Sequence, residues 1–337
     1  MAKTLGIIGF GTVGQGFLEV LINKNKEFQN ITGETVRLIG IIGRSKGSIV
    51  SENGFDPHDA ITCIKRGLSL NQCFPELKRM DVLEFVKNLK PDVLVEAIPT
   101  DLENGEPAFS YIRTALELGS RVVTANKGPI ALHYEKLKNF GNNLRFEATV
   151  MSGTPVIGFI KENLQGSRIL EIRGILNGTT NFIIDQMEHG KEYSEALKEA
   201  QKRGYAEANP NADVRGLDAL AKIVILTKVA MRYPLSINEV KVRGIDTLTR
   251  KDVLEAKKQG KKWKLVAKVS NKDGKISASV APVMIGPEDP LYHVSGTLNG
   301  IVIKTDILGE VFLKGPGAGR LETGYAVFLD LIKVLKK

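Results

Sequence analysis

Leu5-Gly6-Ile7-Ile8-Gly9-Phe10-Gly11-Thr12-Val13-Gly14 decides how the first half of this chain is read. A short apolar run meets glycines spaced G-x-G-x-x-G at Gly9, Gly11 and Gly14, and Val13–Ile22 follows with helical spacing. The run reads as a buried strand, the glycines as its turn, and the remainder as a helix. The three glycines meet separate physical needs. Gly9 makes the tight turn, Gly11 lets the backbone approach a pyrophosphate, and Gly14 lets the helix pack closely on the strand. The helix start offers unpaired N–H groups and the positive end of its dipole to the anion. The motif alone is weak, but a strand before it, a helix after it and a βαβ series around it are the context it requires. Residues 4–20 therefore predict a nicotinamide dinucleotide site. The plainer reading is a glycine turn with no ligand.

The same rhythm continues outward. Val36–Ile42 and Asp92–Ala97 read as buried strands, and Pro107–Leu118 as a helix stopped by Gly119. Arg121–Thr124 and Leu144–Glu147 add two strands, with a helix near Tyr134–Phe140 between them. Alternation of this kind predicts an α/β fold, a doubly wound and mostly parallel sheet of Rossmann type. Ser45–Lys78 breaks the pattern; rich in Gly, Ser, Asn and Lys, it reads as a long excursion and a cofactor lid. After Val150 the elements arrive differently. Helices are expected from Pro155, over Thr180–Met187, over Ser194–Arg203 with Ser194 as N-cap, over Leu217–Met231 and over Lys251–Gln259. Strands are expected at Arg168–Leu176, Trp263–Ser270, Lys275–Val283, Gly300–Lys304 and Gly309–Lys314. This is an α+β second domain. The expected division is 1–148, with the C-terminal helix in 315–337, against 149–314.

Composition narrows the function. The 337 residues suffice for about two domains, and 42% hydrophobic with 25% charged residues is ordinary for a soluble protein. No apolar run approaches the roughly 20 residues of a membrane span, and Met1–Leu5 leaves no room for a signal peptide before the first strand. A cytoplasmic protein is the expectation. The net charge of +9 is spread among acidic residues and aromatics are only 6%, so a solvated lysine-rich surface is favoured over nucleic-acid binding. Two cysteines, Cys63 and Cys73, make neither a disulfide framework nor a zinc ribbon, and the four histidines are scattered. Abundant Lys and Glu with few Cys suit a heat-loving source.

Two basic sites and one acidic stretch carry the chemistry. The second strand ends at Ile42-Gly43-Arg44-Ser45-Lys46. An NAD site places an acid near this point for the ribose hydroxyls, whereas these residues suit a 2′-phosphate. Lys65 would fold over the same phosphate. NADP is favoured and NAD stays open; a surface charge is the plain alternative for Arg44. Lys127, in Thr124-Ala125-Asn126-Lys127-Gly128-Pro129, lies at the C-terminal end of a strand, where ligands bind in such sheets. The third feature runs from Gly204 to Lys222. Asp218 and Lys222 are four apart on a helix that is apolar almost all round, hence buried. Buried Asp and Lys need partners; a surface ion pair is the competing reading. In the functional reading Lys222 is a proton carrier for alcohol–carbonyl interconversion by hydride transfer, since no zinc or convenient histidine is at hand. Glu207, Asp213 and Asp218 would suit an ammonium group, which points to an amino acid substrate.

These residues resemble homoserine dehydrogenase over nearly the whole chain. The resemblance rests on Gly9–Gly14, Val123–Pro129, Phe146–Pro155, Leu176-Asn177-Gly178-Thr179-Thr180-Asn181-Phe182, Gly204–Lys222 and Gly315–Gly319 with Thr323, of which Gly204–Lys222 is the most specific. It implies interconversion of L-homoserine and L-aspartate 4-semialdehyde with NAD(P), in threonine, methionine and isoleucine biosynthesis. It makes Lys222 the acid/base lysine and places Lys127 beside nicotinamide and substrate. Glu207, Asp218, Asp213 and Thr180 become substrate-site residues. Phe10, Thr12, Val13, Arg44, Thr100, Lys127 and Gly319 become cofactor positions. It also implies a sodium ion at Glu147, Val150, Ser152 and Thr154, chiefly through main-chain carbonyls, and a homodimer through the second domain's sheet. The regulatory ACT domain and fused aspartokinase of many relatives have no counterpart, so threonine inhibition through such a domain is not expected. Rival readings are an NAD(P)-linked dehydrogenase acting at carbon–nitrogen and a dinucleotide-sensing protein without catalysis.

Overall fold

The computed structural model describes residues 2–336. The chain forms two compact units, Met1–Gly153 with Gly319–Lys337, and Thr154–Ala318.

The first unit is built on six strands: β1 (Lys3–Ile8), β2 (Val36–Gly43), β3 (Gly47–Val50), β4 (Val93–Glu96), β5 (Arg121–Thr124) and β6 (Leu144–Arg145). Their order is β3-β2-β1-β4-β5-β6. All neighbours run parallel except the β2–β3 hairpin. β1, β2 and β4 are apolar because a parallel sheet is covered on both faces. Ile8 is level with Ile42 on one side and with Glu96 on the other, so three strand ends finish side by side. The order reverses between β1 and β4, the place where open α/β sheets bind ligands. The helices α1 (Thr12–Asn23), α2 (Pro57–Lys65), α3 (Ala108–Glu117) and α4 (Lys127–Leu137) belong to this unit, as does the C-terminal helix Arg320–Leu335. That last helix meets α1 backbone to backbone: a Cβ on Gly16 would lie 2.0 Å from the Arg320 carbonyl oxygen.

The excursion is not a loose lid. It folds as β3, α2 and the short helix Leu70–Cys73, and buries Ile49, Ala60, Ile61, Cys63 and Leu70 in one core with Phe10 and Phe17. Asp56 caps α2 by accepting from the His58 N–H. Cys63 and Cys73, from which the sequence predicts no bridge, are joined by a disulfide. Their helices are brought together by the buried apolar residues between them, which spacing alone does not announce. The strand expected over Leu144–Glu147 is shorter, because Glu147 opens a tight turn over Glu147–Thr149.

The second unit holds β7 (Ile169–Ile175), β8 (Lys241–Val242), β9 (Lys262–Lys272), β10 (Lys275–Ile285), β11 (Leu298–Thr305) and β12 (Gly309–Pro316), in the order β12-β11-β7-β9-β10-β8. It is antiparallel apart from the short β8. Its longer helices are α5 (Gly178–Glu188), α6 (Tyr193–Lys202), α7 (Leu217–Ala230) and α8 (Arg250–Lys258), and a short one spans Asn211–Val214. α6 is capped by Glu192 in a capping box with Glu195, not by Ser194, which lies inside the helix. Among the described residues no helix is long and apolar enough to cross a membrane.

Candidate active site

At the glycine turn the backbone is set for an anion. Gly9 has φ +88, and a Cβ there would lie 2.4 Å from the Ala97 backbone. A Cβ on Gly14 would lie 2.2 Å from the Gly9 carbonyl oxygen, whereas one on Gly11 would meet nothing within 4 Å. Gly11 thus fronts open space at the start of α1. That helix has no side-chain cap and no acid in its first turn, so its N–H groups and dipole are left for a ligand. A dinucleotide pyrophosphate fits this cradle. Phe10 is buried in the core and its carbonyl accepts from Gln15 Nε2 at 2.8 Å, so it offers a ligand backbone rather than ring. Thr12 is exposed and Val13 half-buried in the first turn.

Arg44 and Ser45 are exposed on the β2–β3 turn. A Cβ on Gly43 would lie 3.4 Å from Phe10, so this turn abuts the glycine turn. The folded excursion braces it: Leu70 N–H donates to the Lys46 carbonyl at 2.8 Å, and Ser48 N–H to Asn71 Oδ1 at 2.9 Å. Lys65 is not brought to Arg44. Its ammonium pairs with Glu19 at 3.2 Å, two turns along α1, roughly 10 Å from the helix start.

The ends of β4 and β5 form the other side of the crevice. Asn126 caps α4, its Oδ1 accepting from Gly128 N–H at 3.1 Å, and Lys127 is the first helical residue. Thr100 is exposed on the segment after β4. Glu96 is fully buried at the end of β4; burial pushes its carboxyl up to about 7, against hydrogen bonds from Thr124, Ile98 and Asn126. Gly319 has φ +138, and a Cβ there would lie 2.0 Å from Glu322 Oε2, so the first-turn acid of its own helix stands against it.

The Glu147–Thr154 stretch is an oxygen-rich turn. Glu147 and Val150 are buried, and the Glu147 N–H donates to Asp330 Oδ2 at 2.6 Å. Asp330 is pushed up to about 7 by burial and then by the Glu147 charge. Met151 and Ser152 both have positive φ, 57 and 52, uncommon for residues with a Cβ. The Ser152 hydroxyl is bonded to Thr323 Oγ1 at 2.7 Å, and Thr154 Oγ1 donates to the Pro316 carbonyl at 3.1 Å. Among the described residues no group of three His, Cys, Asp or Glu could hold a metal.

In the second unit the acidic stretch converges on one amide. Asn177, the N-cap of α5, donates from Nδ2 to Asp213 Oδ1 at 2.6 Å and to Asp218 Oδ2 at 2.9 Å. Asp218 Oδ2 also accepts from Lys222 Nζ at 2.7 Å, and Lys222 Nζ donates to the Leu176 carbonyl at 2.6 Å. The side chains of this pair are 7% and 17% exposed, which excludes a solvated surface pair. Thr180 is fully buried, and its hydroxyl donates back to Asn177, so it acts on this cluster through Asn177. Glu207 stands exposed on the segment between α6 and α7; among the described residues its carboxylate is not tied to the Asn177 cluster, and its carbonyl accepts from Gln201 instead. Asn177 is the residue that a search for acids and lysines misses. Its signal is an asparagine where a strand ends and a helix begins.

A family model described as homoserine dehydrogenase matches residues 155–332. The NAD(+)-dependent homoserine dehydrogenase of Pseudomonas canavaninivorans is 39% identical over 339 residues, covering 98% of this chain and 95% of the relative. The chain belongs to the homoserine dehydrogenase family. Solved structures agree. A homoserine dehydrogenase from Thiobacillus denitrificans superposes with TM-score 0.86 at 30% identity, covering 100% of this chain and 74% of that one. A hyperthermophilic archaeal homoserine dehydrogenase mutant in complex with NADPH gives 0.84 at 36% identity, covering 99% and 98%. The chain is an NAD(P)-dependent oxidoreductase acting on homoserine.

Proposed function

We propose that this chain interconverts L-homoserine and L-aspartate 4-semialdehyde, in threonine, methionine and isoleucine biosynthesis, with NADP as its dinucleotide. The observation that carries the reading is the pair of buried Lys222 and half-buried Asp218 gathered by Asn177. Lysine ammonium has three N–H donors. Two are spent on Asp218 and the Leu176 carbonyl, which fixes Nζ and leaves the third for the substrate oxygen. In reduction that third N–H gives its proton to the aldehyde oxygen; in oxidation Lys222 acts from its neutral amine form, whose lone pair in that same position takes the proton of the homoserine hydroxyl. A nicotinamide bound at the glycine turn would supply the hydride acceptor and donor. Asp213 and Glu207 supply negative charge for the homoserine ammonium, and Asp218 orients Lys222.

Arg44, Ser45 and Lys46 would hold the 2′-phosphate, and Gly9–Gly14 the pyrophosphate, while Thr100 and Lys127 would face the nicotinamide half. Lys65, occupied by Glu19, is left out of that set. The same reading takes a sodium ion at the Glu147–Thr154 turn, a homodimer through the second unit's sheet, and a cytoplasmic setting. The Cys63–Cys73 bridge is compatible with the cytosol of a heat-loving organism, where disulfides persist. Initial rates with homoserine and each dinucleotide test the proposal. Homoserine-dependent reduction that is faster with NADP+ is expected; activity on an amino acid at its carbon–nitrogen bond, with none on homoserine, would overturn it.

A further inference from the structure

Glu96 is the one acid in β4, Val93-Leu94-Val95-Glu96, and no part of it reaches solvent. Glutamate is almost never fully buried without partners. Its partners are three donors from two strand ends. Oε2 accepts from Thr124 Oγ1 at 2.5 Å. Oε1 accepts from Ile98 N–H at 2.8 Å and from Asn126 Nδ2 at 3.3 Å. The chain of bonds does not stop there. Thr124 Oγ1 accepts in turn from Asn126 N–H at 2.9 Å, and Asn126 Oδ1 accepts from Gly128 N–H at 3.1 Å. Lys127 lies between those two held amides. On the other branch, Ile98 leads to Thr100 and Asp101, and a Cβ on Gly128 would lie 2.1 Å from the Asp101 carbonyl oxygen. One carboxyl therefore ties both segments that flank the crevice beside the reversal of strand order, and they press on each other with no room for a methyl group.

We propose that Glu96 is a positioning residue for the hydride-transfer step: its carboxyl fixes the ends of β4 and β5 so that the first turn of α4 presents Lys127 to the nicotinamide. This rests on the reading of Lys127 as the lysine beside the nicotinamide. The network touches the proposed pyrophosphate cradle on one branch, since a Cβ on Gly9 would lie 2.6 Å from Ile98 N, while its Thr124 and Asn126 branch belongs to β5 and the turn that leads to Lys127. Loosening the Thr124 branch should therefore cost turnover more than dinucleotide affinity, since a displacement of about 1 Å in a reacting geometry can cost up to ~100-fold in rate.

The test uses the whole chain and reads kcat with homoserine beside the dissociation constant for NADPH. Glu96→Gln replaces an acceptor by an amide at the Thr124 hydroxyl. Thr124→Val removes that hydroxyl in an isosteric side chain, and Thr124→Ser restores it. In both Glu96→Gln and Thr124→Val, kcat falls roughly 10-fold or more while NADPH binding stays within about threefold. Thr124→Ser regains most of the kcat lost in Thr124→Val. If Glu96→Gln does not fold, the Thr124 pair decides. The proposal is overturned if kcat stays within about twofold in the variants, or if NADPH affinity falls in step with kcat, which would mean a general loss of structure. Lys127→Ala separates the underlying reading from this one. A low kcat in Lys127→Ala beside normal Glu96→Gln and Thr124→Val defeats only the positioning role; a normal kcat in Lys127→Ala removes the reading of Lys127 and this proposal with it.

Discussion

The glycine turn and the Asn177 cluster are both sites for charged ligand groups, yet they are made of different material. At the turn the working parts are backbone. Gly9, Gly11 and Gly14 have no side chains, Phe10 turns its ring into the core, and α1 brings no acid to its own N-terminus. In the cluster the working parts are side chains: an amide, two carboxylates and a lysine, held on α5, α7 and the short helix Asn211–Val214. A backbone cradle accepts any pyrophosphate and so names a ligand class. A side-chain cluster can choose a substrate, but it must bury charge, and buried charge is tolerated only when paired and hydrogen-bonded. That is why Lys222 has two acceptors before any substrate arrives.

The sharpest way to break this contrast is Lys222→Ala. Loss of a positioned proton carrier should lower kcat by roughly 1,000-fold, with NADPH affinity unchanged in a direct titration. The variant also leaves Asp218 without its ammonium, so a lowered melting temperature is expected alongside. Turnover near that of the unaltered chain would dismiss the cluster as a site. The reciprocal variant is Gly11→Val. Nothing lies within 4 Å of the new Cβ, so the fold should survive, but the side chain stands where the pyrophosphate would lie. NADPH binding should weaken by roughly 100-fold, the worth of one or two charge-assisted hydrogen bonds. Unchanged binding would show that the turn holds no dinucleotide.

The two regions also differ in how sequence reveals them. The glycine turn is legible because its geometry excludes other residues, so the requirement is written in residue type at fixed spacing. Asp218 and Lys222 are legible because charges stand out on a helix that is otherwise apolar. Asn177 is not, since its role depends on Asp213 and Asp218 folding back more than thirty residues to reach it, at 2.6 and 2.9 Å. Glu96 escapes notice for a similar reason: its partners at Thr124 and Asn126 belong to the neighbouring strand and the turn that follows it. Ser45–Lys78 misleads because glycine and polar residues dominate its composition while a few apolar ones, Ile49, Ile61 and Leu70, decide its burial. The alternation of elements follows from local periodicity; strand order and side-chain networks across the sheet do not.

A smaller effect sharpens the comparison within the first unit. Arg44 is exposed on a braced turn, so it adds one charge to a site otherwise made of backbone. Arg44→Ala should raise the KM for NADP+ about 10-fold while leaving that for NAD+ unchanged, as expected for one partly solvated guanidinium–phosphate contact. Equal loss with both dinucleotides would move the 2′-phosphate away from this turn.

The smallest expected effect concerns what each unit buries. Asp218 is half-buried beside an ammonium, whereas Glu96 is fully buried beside neutral donors only, Thr124, Ile98 and Asn126. Asp330, also in the first unit, is buried with the Glu147 charge against it. Both carboxyls are pushed up to about 7 from 4.5 and 3.8. The folded unit therefore holds their protons more tightly than the unfolded chain does. The stability they contribute is complete below about pH 4 and is lost as pH rises through about 7, at up to ~1.4 kcal/mol per pH unit for each group inside that window. Amide protection factors in β4 and β5 should be higher at about pH 5.5 than at about pH 8, and the melting temperature should fall by a few degrees over the same range. Glu96→Gln should remove about half of that slope, because its amide has no proton to lose. Protection that is flat across this range would mean that Glu96 is ionised throughout, with its three donors outweighing burial.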